Sequence, residues 1–264
     1  MSPSIPDWQL PAGVTRGLWD YLHDPAVAAG YDAGLHESSL VAADVRFAER
    51  HFGKPGRLID LGCGTGRLLV PFARRGYWVL GVDLSEDMLK QAGRRAAAAG
   101  LRIERVKANL VELDGLRDQS FDYAACLFST LGMIDGAANR RRVLEHAFRL
   151  LRPGGKFVLH VHNRWFNLWD AQGRKWLTAD LLRGLVPGAQ HGDQLMPAHQ
   201  GIPGLTLHLF TLGEIKGMLA SAGFRIVEAM PVGLGPDGLL PRRWLCSRLR
   251  AYGYLLAARR ANDV

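Results

Sequence analysis

Leu58-Ile59-Asp60-Leu61-Gly62-Cys63-Gly64-Thr65-Gly66 reads as a buried strand running into a glycine turn. The apolar strand Arg57 to Leu61 precedes three glycines at alternate positions. Arg67 to Arg75 follows with helical apolar spacing, and Gly76 stops it. Strand, glycine loop and helix in that order let a ligand approach the backbone closely at a helix start. The spacing is G-x-G-x-G, one residue tighter than the G-x-G-x-x-G of dinucleotide sites. Asp60 stands beside the loop. A carboxylate there repels a pyrophosphate but favours an α-ammonium and a sulfonium. A buried unpaired carboxylate is costly, so Asp60 calls for a ligand.

The charge argument points to S-adenosylmethionine. Outward from the loop, Trp78 to Val82 is a second strand ending in Asp83, whose carboxylate suits the two hydroxyls of a ribose. Ser85 reads as an N-cap with Met88 at capping-box distance, and the helix continues to about Ala99. Arg102 to Lys107 and Phe121 to Phe128 read as strands and Ala137 to Leu151 as a helix. Pro153-Gly154-Gly155 turns the chain into a fifth strand, Lys156 to His162. This β-α alternation implies an α/β fold with a mostly parallel sheet and helices on both faces. The alternation fails between Arg164 and Gly204, a stretch with three tryptophans that is too long for a plain connection and reads as a cap. It resumes with the helix Thr211 to Ala222 and the strands Phe224 to Pro231 and Tyr252 to Ala258. Upstream, Met1 to Val14 reads as an arm, Gly17 to Tyr31 as short helices and Leu40 to Phe52 as a longer helix.

Four stretches now stand together: LIDLGCGTG (Leu58 to Gly66), GVDLS (Gly81 to Ser85), SFDYAACLFSTL (Ser120 to Leu131) and LLRPGGKFVLHVHN (Leu150 to Asn163). In this combination the chain resembles the class I S-adenosylmethionine-dependent methyltransferases. The resemblance is strong from Tyr31 to Asn163 and weaker at Thr211 to Phe224 and Tyr252 to Arg259. It implies a three-layer Rossmann-like fold with a seven-stranded sheet whose last strand is antiparallel. It divides the chain into an arm with cofactor-covering helices, 1–39, and a methyltransferase domain, 40–264, holding a substrate cap at 164–204. It also implies roles. Gly62, Cys63, Gly64 and Gly66 line the methionine part, and Asp60 reaches the amino group. Asp83 holds the ribose. Leu84 and Met88 pack on adenine, Asn109 accepts from the adenine amino group, and the backbone of Leu110 touches the ring edge. Phe128 sits near the sulfur and Tyr31 closes over the cofactor carboxylate. Read from the residues alone, Met88 and Tyr31 serve equally well as core packing, and Cys63 as a small buried filler.

The acceptor is expected at the ends of the fourth and fifth strands. His162 is the candidate general base, with a hydrogen-bonded structural histidine as the other reading; His199 and His208 are weaker candidates. No Asn/Asp-Pro-Pro-aromatic motif follows the fourth strand, Cys126 lacks a preceding proline, and no paired-glutamate loop occurs. These absences argue against base-amine, cytosine-C5 and arginine methylation. A small molecule methylated on O or N, with no metal, is the expected acceptor. Arg164, Arg174, Arg183, Arg242 and Arg243 could pair with an acidic one. The alternatives are an RNA methyltransferase using the basic surface and a non-catalytic adenosylmethionine-binding subunit. The formal charge is +8 over 264 residues, but it is scattered, which disfavours nucleic acid as partner. Hydrophobic residues make up 48% without a run that could span a membrane, and the start lacks a basic-then-apolar leader. Three distant cysteines fit no disulfide framework, so a reducing cytoplasm is the expected setting; oligomeric state is left open.

Overall fold

The computed structural model describes residues 5–31, 39–186, 188, 190–196 and 204–261. Two short helices come first, α1 (Arg16–His23) and α2 (Pro25–Gly30), followed by α3 (Ser39–His51). Thr15 caps α1 by accepting from the Leu18 N–H, and Asp24 caps α2, which has proline at its first position. The alternating unit then runs β1 (Arg57–Leu61), α4 (Leu69–Arg74), β2 (Trp78–Asp83), α5 (Glu86–Ala98), β3 (Glu104–Lys107), β4 (Phe121–Cys126), α6 (Thr130–Met133), α7 (Ala137–Leu150) and β5 (Leu151–His162). After a 3-10 turn at Arg164–Trp169 come α8 (Ala171–Arg183), the paired strands β6 (Asp193–Leu195) and β7 (Thr206–His208), α9 (Leu212–Ser221), β8 (Phe224–Val232), α10 (Ser247–Arg250) and β9 (Gly253–Arg260). Among the described residues no helix is long and apolar enough to cross a membrane.

Seven strands form one sheet in the order β3-β2-β1-β4-β5-β9-β8. β9 runs antiparallel to both neighbours and the other contacts are parallel, as expected. Strand order reverses between β1 and β4, which opens a crevice beyond their carboxyl ends. The two-residue period of a strand splits β1 between two cores. Leu58 packs with Phe47, Phe72 and Val158 on one face, while Ile59 and Leu61 pack with Val82, Leu144 and Phe157 on the other. β5 begins at Leu151, five residues before the sequence pattern suggested. Pro153-Gly154-Gly155 does not end the strand. Instead the register against β4 shifts there, and Gly154 takes φ +76°.

A third apolar cluster lies over the crevice. Val14, Leu18 and Tyr21 from the arm and α1 pack with Met88 of α5 and Leu205. Ser85 donates its hydroxyl to the Leu22 carbonyl at 2.7 Å, which fixes α1 to the start of α5. The expected cap region carries α8 and β6 between its ends. It is tied down by an ion network centred on buried His208, Arg140 and Arg164. His208, 2% exposed, lies 2.8 Å from Asp193 and 2.8 Å from Glu214. Arg140 of α7 reaches Asp193 at 3.4 Å, and Arg164 reaches Glu214 at 3.4 Å and His191 at 3.1 Å. The guanidinium of Arg164 is thereby committed inside the protein. Arg174, Arg183, Arg242 and Arg243 are exposed.

Candidate functional site

The glycine loop is fixed to β2 by two backbone bonds, from the N–H groups of Gly62 and Cys63 to the Val82 carbonyl at 2.8 and 3.0 Å. Gly62 takes φ +79°, and a Cβ on it would lie 2.3 Å from Thr130 Cγ2. Both backbone conformation and close approach therefore demand glycine. Gly66 also has φ +79° and packs against Ala92 of α5, so it shapes the turn without facing the cleft. Asp83 joins the loop to the next helix. One carboxylate oxygen accepts from the Gly64 N–H at 2.8 Å and the other from the Ser85 N–H at 2.9 Å. Burial raises the Asp83 pKa, and those backbone donors oppose the rise.

Asp60 lies at the end of β1, paired across the sheet with Gly81 and Ala125, and is 3% exposed. Burial pushes its pKa up to about 7, the negative charge of Asp83 adds to the rise, and Arg67 works against it. A neighbouring third carboxylate, Asp44 of α3, raises it further. Asp60 thus has two buried carboxylates and one guanidinium as its charged influences. Such a site is short of positive charge and favours a cationic ligand.

Above the loop lies an open cleft. Gly62 and Gly64 line it, with Asp83, Leu84 and Met88, and with Asn109 and Leu110. Tyr31, Phe128 and Thr130 line it as well. The continuation toward α3 is lined by Asp44, Asp60, Cys63 and Arg67. Eleven of the twelve expected cofactor residues line these two hollows, which share Tyr31, Gly62, Phe128 and Thr130, and Gly66 lines neither. Cys63 is 5% exposed with a raised thiol pKa, and its Sγ packs over Gly81, which fits a filler and not a nucleophile. Asn109 is engaged on both ends. Its amide nitrogen donates to the Ala12 carbonyl at 2.9 Å and its oxygen accepts from the Val111 N–H at 3.2 Å. It therefore also pins the arm across the cleft.

The sequence suggested covering helices within 1–39 but not their cleft-lining residues Val14, Leu18, Tyr21 and Leu22, and it gave no role to Arg67. The Arg67 guanidinium lies 4.9 Å from the Tyr31 ring centre and 5.0 Å from that of Phe128. Its Nη2 donates to the Tyr31 hydroxyl at 3.2 Å, while Nη1 is buried with no hydrogen-bond partner. A cation just after the third glycine was the available signal. Phe128 and Ser129 both adopt left-handed backbone, at φ +52° and +62°. Three bonds hold this turn: Phe128 N–H to Asp44, Ser129 N–H to the His160 carbonyl, and His162 N–H to the Ser129 hydroxyl. Residues in such conformations cluster at functional sites.

His162 packs 4.7 Å from the Tyr252 ring, 5.6 Å from His160 and 6.4 Å from Phe128, measured between ring centres. It does not line the cleft. Burial, helped by His160, pushes its pKa down to about 3, so the ring is neutral and weakly basic at neutral pH. His208 lies in the ion network described above, and His199 lies outside the described residues.

Residues 58–155 match the family model for a methyltransferase domain. A protein of Geobacillus sp. (strain WCH70), named only as a methyltransferase, is 35% identical over 137 residues, covering 50% of this chain and 55% of that protein. A ubiquinone biosynthesis O-methyltransferase of Parvibaculum lavamentivorans is 28% identical over 207 residues, covering 78% of this chain and 72% of that protein. The match to the Geobacillus protein thus spans little more than half of that relative. Among solved structures, the 1,6-didemethyltoxoflavin-N1-methyltransferase of Burkholderia thailandensis superposes with a TM-score of 0.63. It shares 20% identity, with 96% of this chain and 94% of that one covered, and it holds S-adenosylhomocysteine and 1,6-didemethyltoxoflavin. At that identity the likeness shows the fold.

Proposed function

Because this chain carries a methyltransferase domain on the class I S-adenosylmethionine-dependent methyltransferase fold, we propose that it methylates an O or N atom of a small molecule. The observation that carries the reading is the pair of buried carboxylates, Asp60 and Asp83, on either side of the glycine loop, with the Asp60 pKa raised to about 7 by burial and by the charge of Asp83. In this reading Asp60 takes the ammonium of S-adenosylmethionine and Asp83 the ribose hydroxyls. Arg67 and Tyr31 take the carboxylate, and Leu84 and Met88 enclose the adenine. The donor supplies a methyl carbon already activated by the adjacent sulfonium.

Charge disappears as the methyl moves, so the protein's main contribution is to hold the reactants in line. Phe128, fixed by Asp44 and the strained turn, forms the wall beside the methyl. His162 is the base candidate on the acceptor side, and its low basicity leaves positioning as the larger contribution. The segment 164–204 is assigned to the acceptor side, with support from Met196, which packs on the apolar cluster under α1. The relatives' names favour O or N as the methylated atom: one is an O-methyltransferase and the other an N1-methyltransferase.

Incubation with methyl-labelled S-adenosylmethionine and a panel of hydroxylated and nitrogen-heterocyclic metabolites tests the proposal. A product heavier by one methyl, absent with Asp83→Ala, supports it. Tight S-adenosylhomocysteine binding with no product from any acceptor class would leave a binding subunit as the better reading.

A further inference from the structure

We propose that the connection between β8 and β9, residues 233–252, is a preformed platform that docks the protein onto an anionic phospholipid surface. The segment presents Trp244 at 82% exposure, with Leu234 at 61%, Leu245 at 41% and Leu249 at 40%. A second tryptophan from another element joins them. Trp169 is 59% exposed, and its indole N–H donates to the Leu249 carbonyl at 2.8 Å. Arg242, Arg243 and Arg248 stand exposed among these side chains and make no salt bridge among the described residues. Asp237 is the one acid in the stretch, and it accepts from the Leu239 N–H.

The exposure is built and is not a frayed loop. Arg250 turns inward and donates to the carbonyls of Pro241, Arg242 and Leu245 at 3.2, 3.3 and 3.0 Å. Arg242 and Cys246 hold left-handed backbone, at φ +50° and +44°. Leu240 is buried beneath, and a bridge from Val232 to Leu239 anchors the base of the segment. This internal bracing keeps tryptophan and leucine in water when collapse onto the protein would be favourable.

The chemistry matches a lipid interface. Tryptophan settles at headgroup depth, leucine enters the acyl boundary, and arginine pairs with lipid phosphate. A nucleic acid would use the arginines and could stack on Trp244. It would give the three exposed leucines no partner, so the aliphatic component favours lipid. The platform belongs to the β8 end of the sheet, separate from the cofactor cleft over β1 and β2.

Co-sedimentation of the full chain with phosphatidylglycerol-containing vesicles, against phosphatidylcholine vesicles, provides the test. The protein should partition onto the anionic vesicles only. Arg242→Ala/Arg243→Ala should lower partitioning about 30-fold, the loss expected for two arginines at an anionic surface. Trp244→Ala/Leu245→Ala should abolish the part of binding that survives high salt. Arg94→Ala/Arg102→Ala removes the same charge from exposed positions on α5 and before β3 and should change little. Cys246 is exposed while Cys63 and Cys126 are buried, so a polarity-sensitive dye placed on Cys246 should shift to the blue on the vesicles. Equal loss in both arginine pairs, or no dye shift, would overturn the proposal. Binding that needs Arg242 and Arg243 but not Leu245, and that single-stranded RNA displaces, would assign the platform to nucleic acid instead.

Discussion

If Asp60 receives a cationic amino group, S-adenosylhomocysteine should bind with a pH dependence that this one carboxylate sets. In the free protein its pKa lies at about 7, against 3.8 for an ordinary aspartate. The folded-state value is raised, so Asp60 lowers the stability of the ligand-free protein as pH rises from about 4 to 7. The full effect is of order 4 kcal/mol. The ammonium of the ligand removes the reason for that shift, because it stabilises the ionised carboxylate. Binding is then tightest where Asp60 is already ionised. With the free pKa near 7 and an ionised bound form, the competent fraction falls about 25-fold between pH 7.5 and 5.5. Calorimetric titration at the two pH values should show the dissociation constant rising by roughly that factor. Asp60→Asn should bind more weakly at pH 7.5 and respond far less to pH. An unchanged wild-type dissociation constant across the window, or an identical pH response in Asp60→Asn, would refute the reasoning.

Other consequences follow from the same geometry. Arg67→Met removes a charged donor facing the methionine end and should weaken S-adenosylhomocysteine about 10- to 100-fold by titration, with little change in the melting temperature of the free protein. Gly62→Ala places a Cβ against Thr130 in a backbone conformation that alanine resists, so thermal unfolding should show a loss of about 1–3 kcal/mol and a weakened ligand response. His162→Ala should lower kcat less than 10-fold if positioning dominates; a fall of 100-fold or more would identify it as a true general base. His208 holds the pKa values of Asp193 and Glu214 below their ordinary 3.8 and 4.5 against the opposing effect of burial. Stability from these lowered carboxylates is complete above their ordinary values and is lost as pH falls through the native ones. Glu214→Gln should therefore flatten the acid side of a melting-temperature profile.

Local sequence carried the first half of the fold because its signals are local. β1, the glycine loop, β2, Asp83 and the Ser85 cap lie within about thirty residues, and many of their bonds, such as those of Asp83 and Ser85 to the backbone just after them, are local. The missing parts of the site depend on distant partners. Asp44 looks like a polar position on an amphipathic helix, yet it lies 2.8 Å from His160 on β5 and accepts from Phe128 after β4. Arg67 looks like a helix-surface arginine until Tyr31 and Phe128 meet around it. The roof residues Leu18 and Tyr21 have ordinary helical spacing, and nothing nearby says which surface they bury against. Pro153-Gly154-Gly155 resembles a terminator because only pairing with β4 reveals it as an irregularity within a longer strand.

A crystal structure of the protein grown with S-adenosylhomocysteine and NADH together bears most directly on the central claim. The account predicts density for S-adenosylhomocysteine alone, its ammonium at Asp60 and its ribose hydroxyls on Asp83. A diphosphate lying on the Gly62–Gly66 turn, with Asp60 turned away from the ligand, would contradict it.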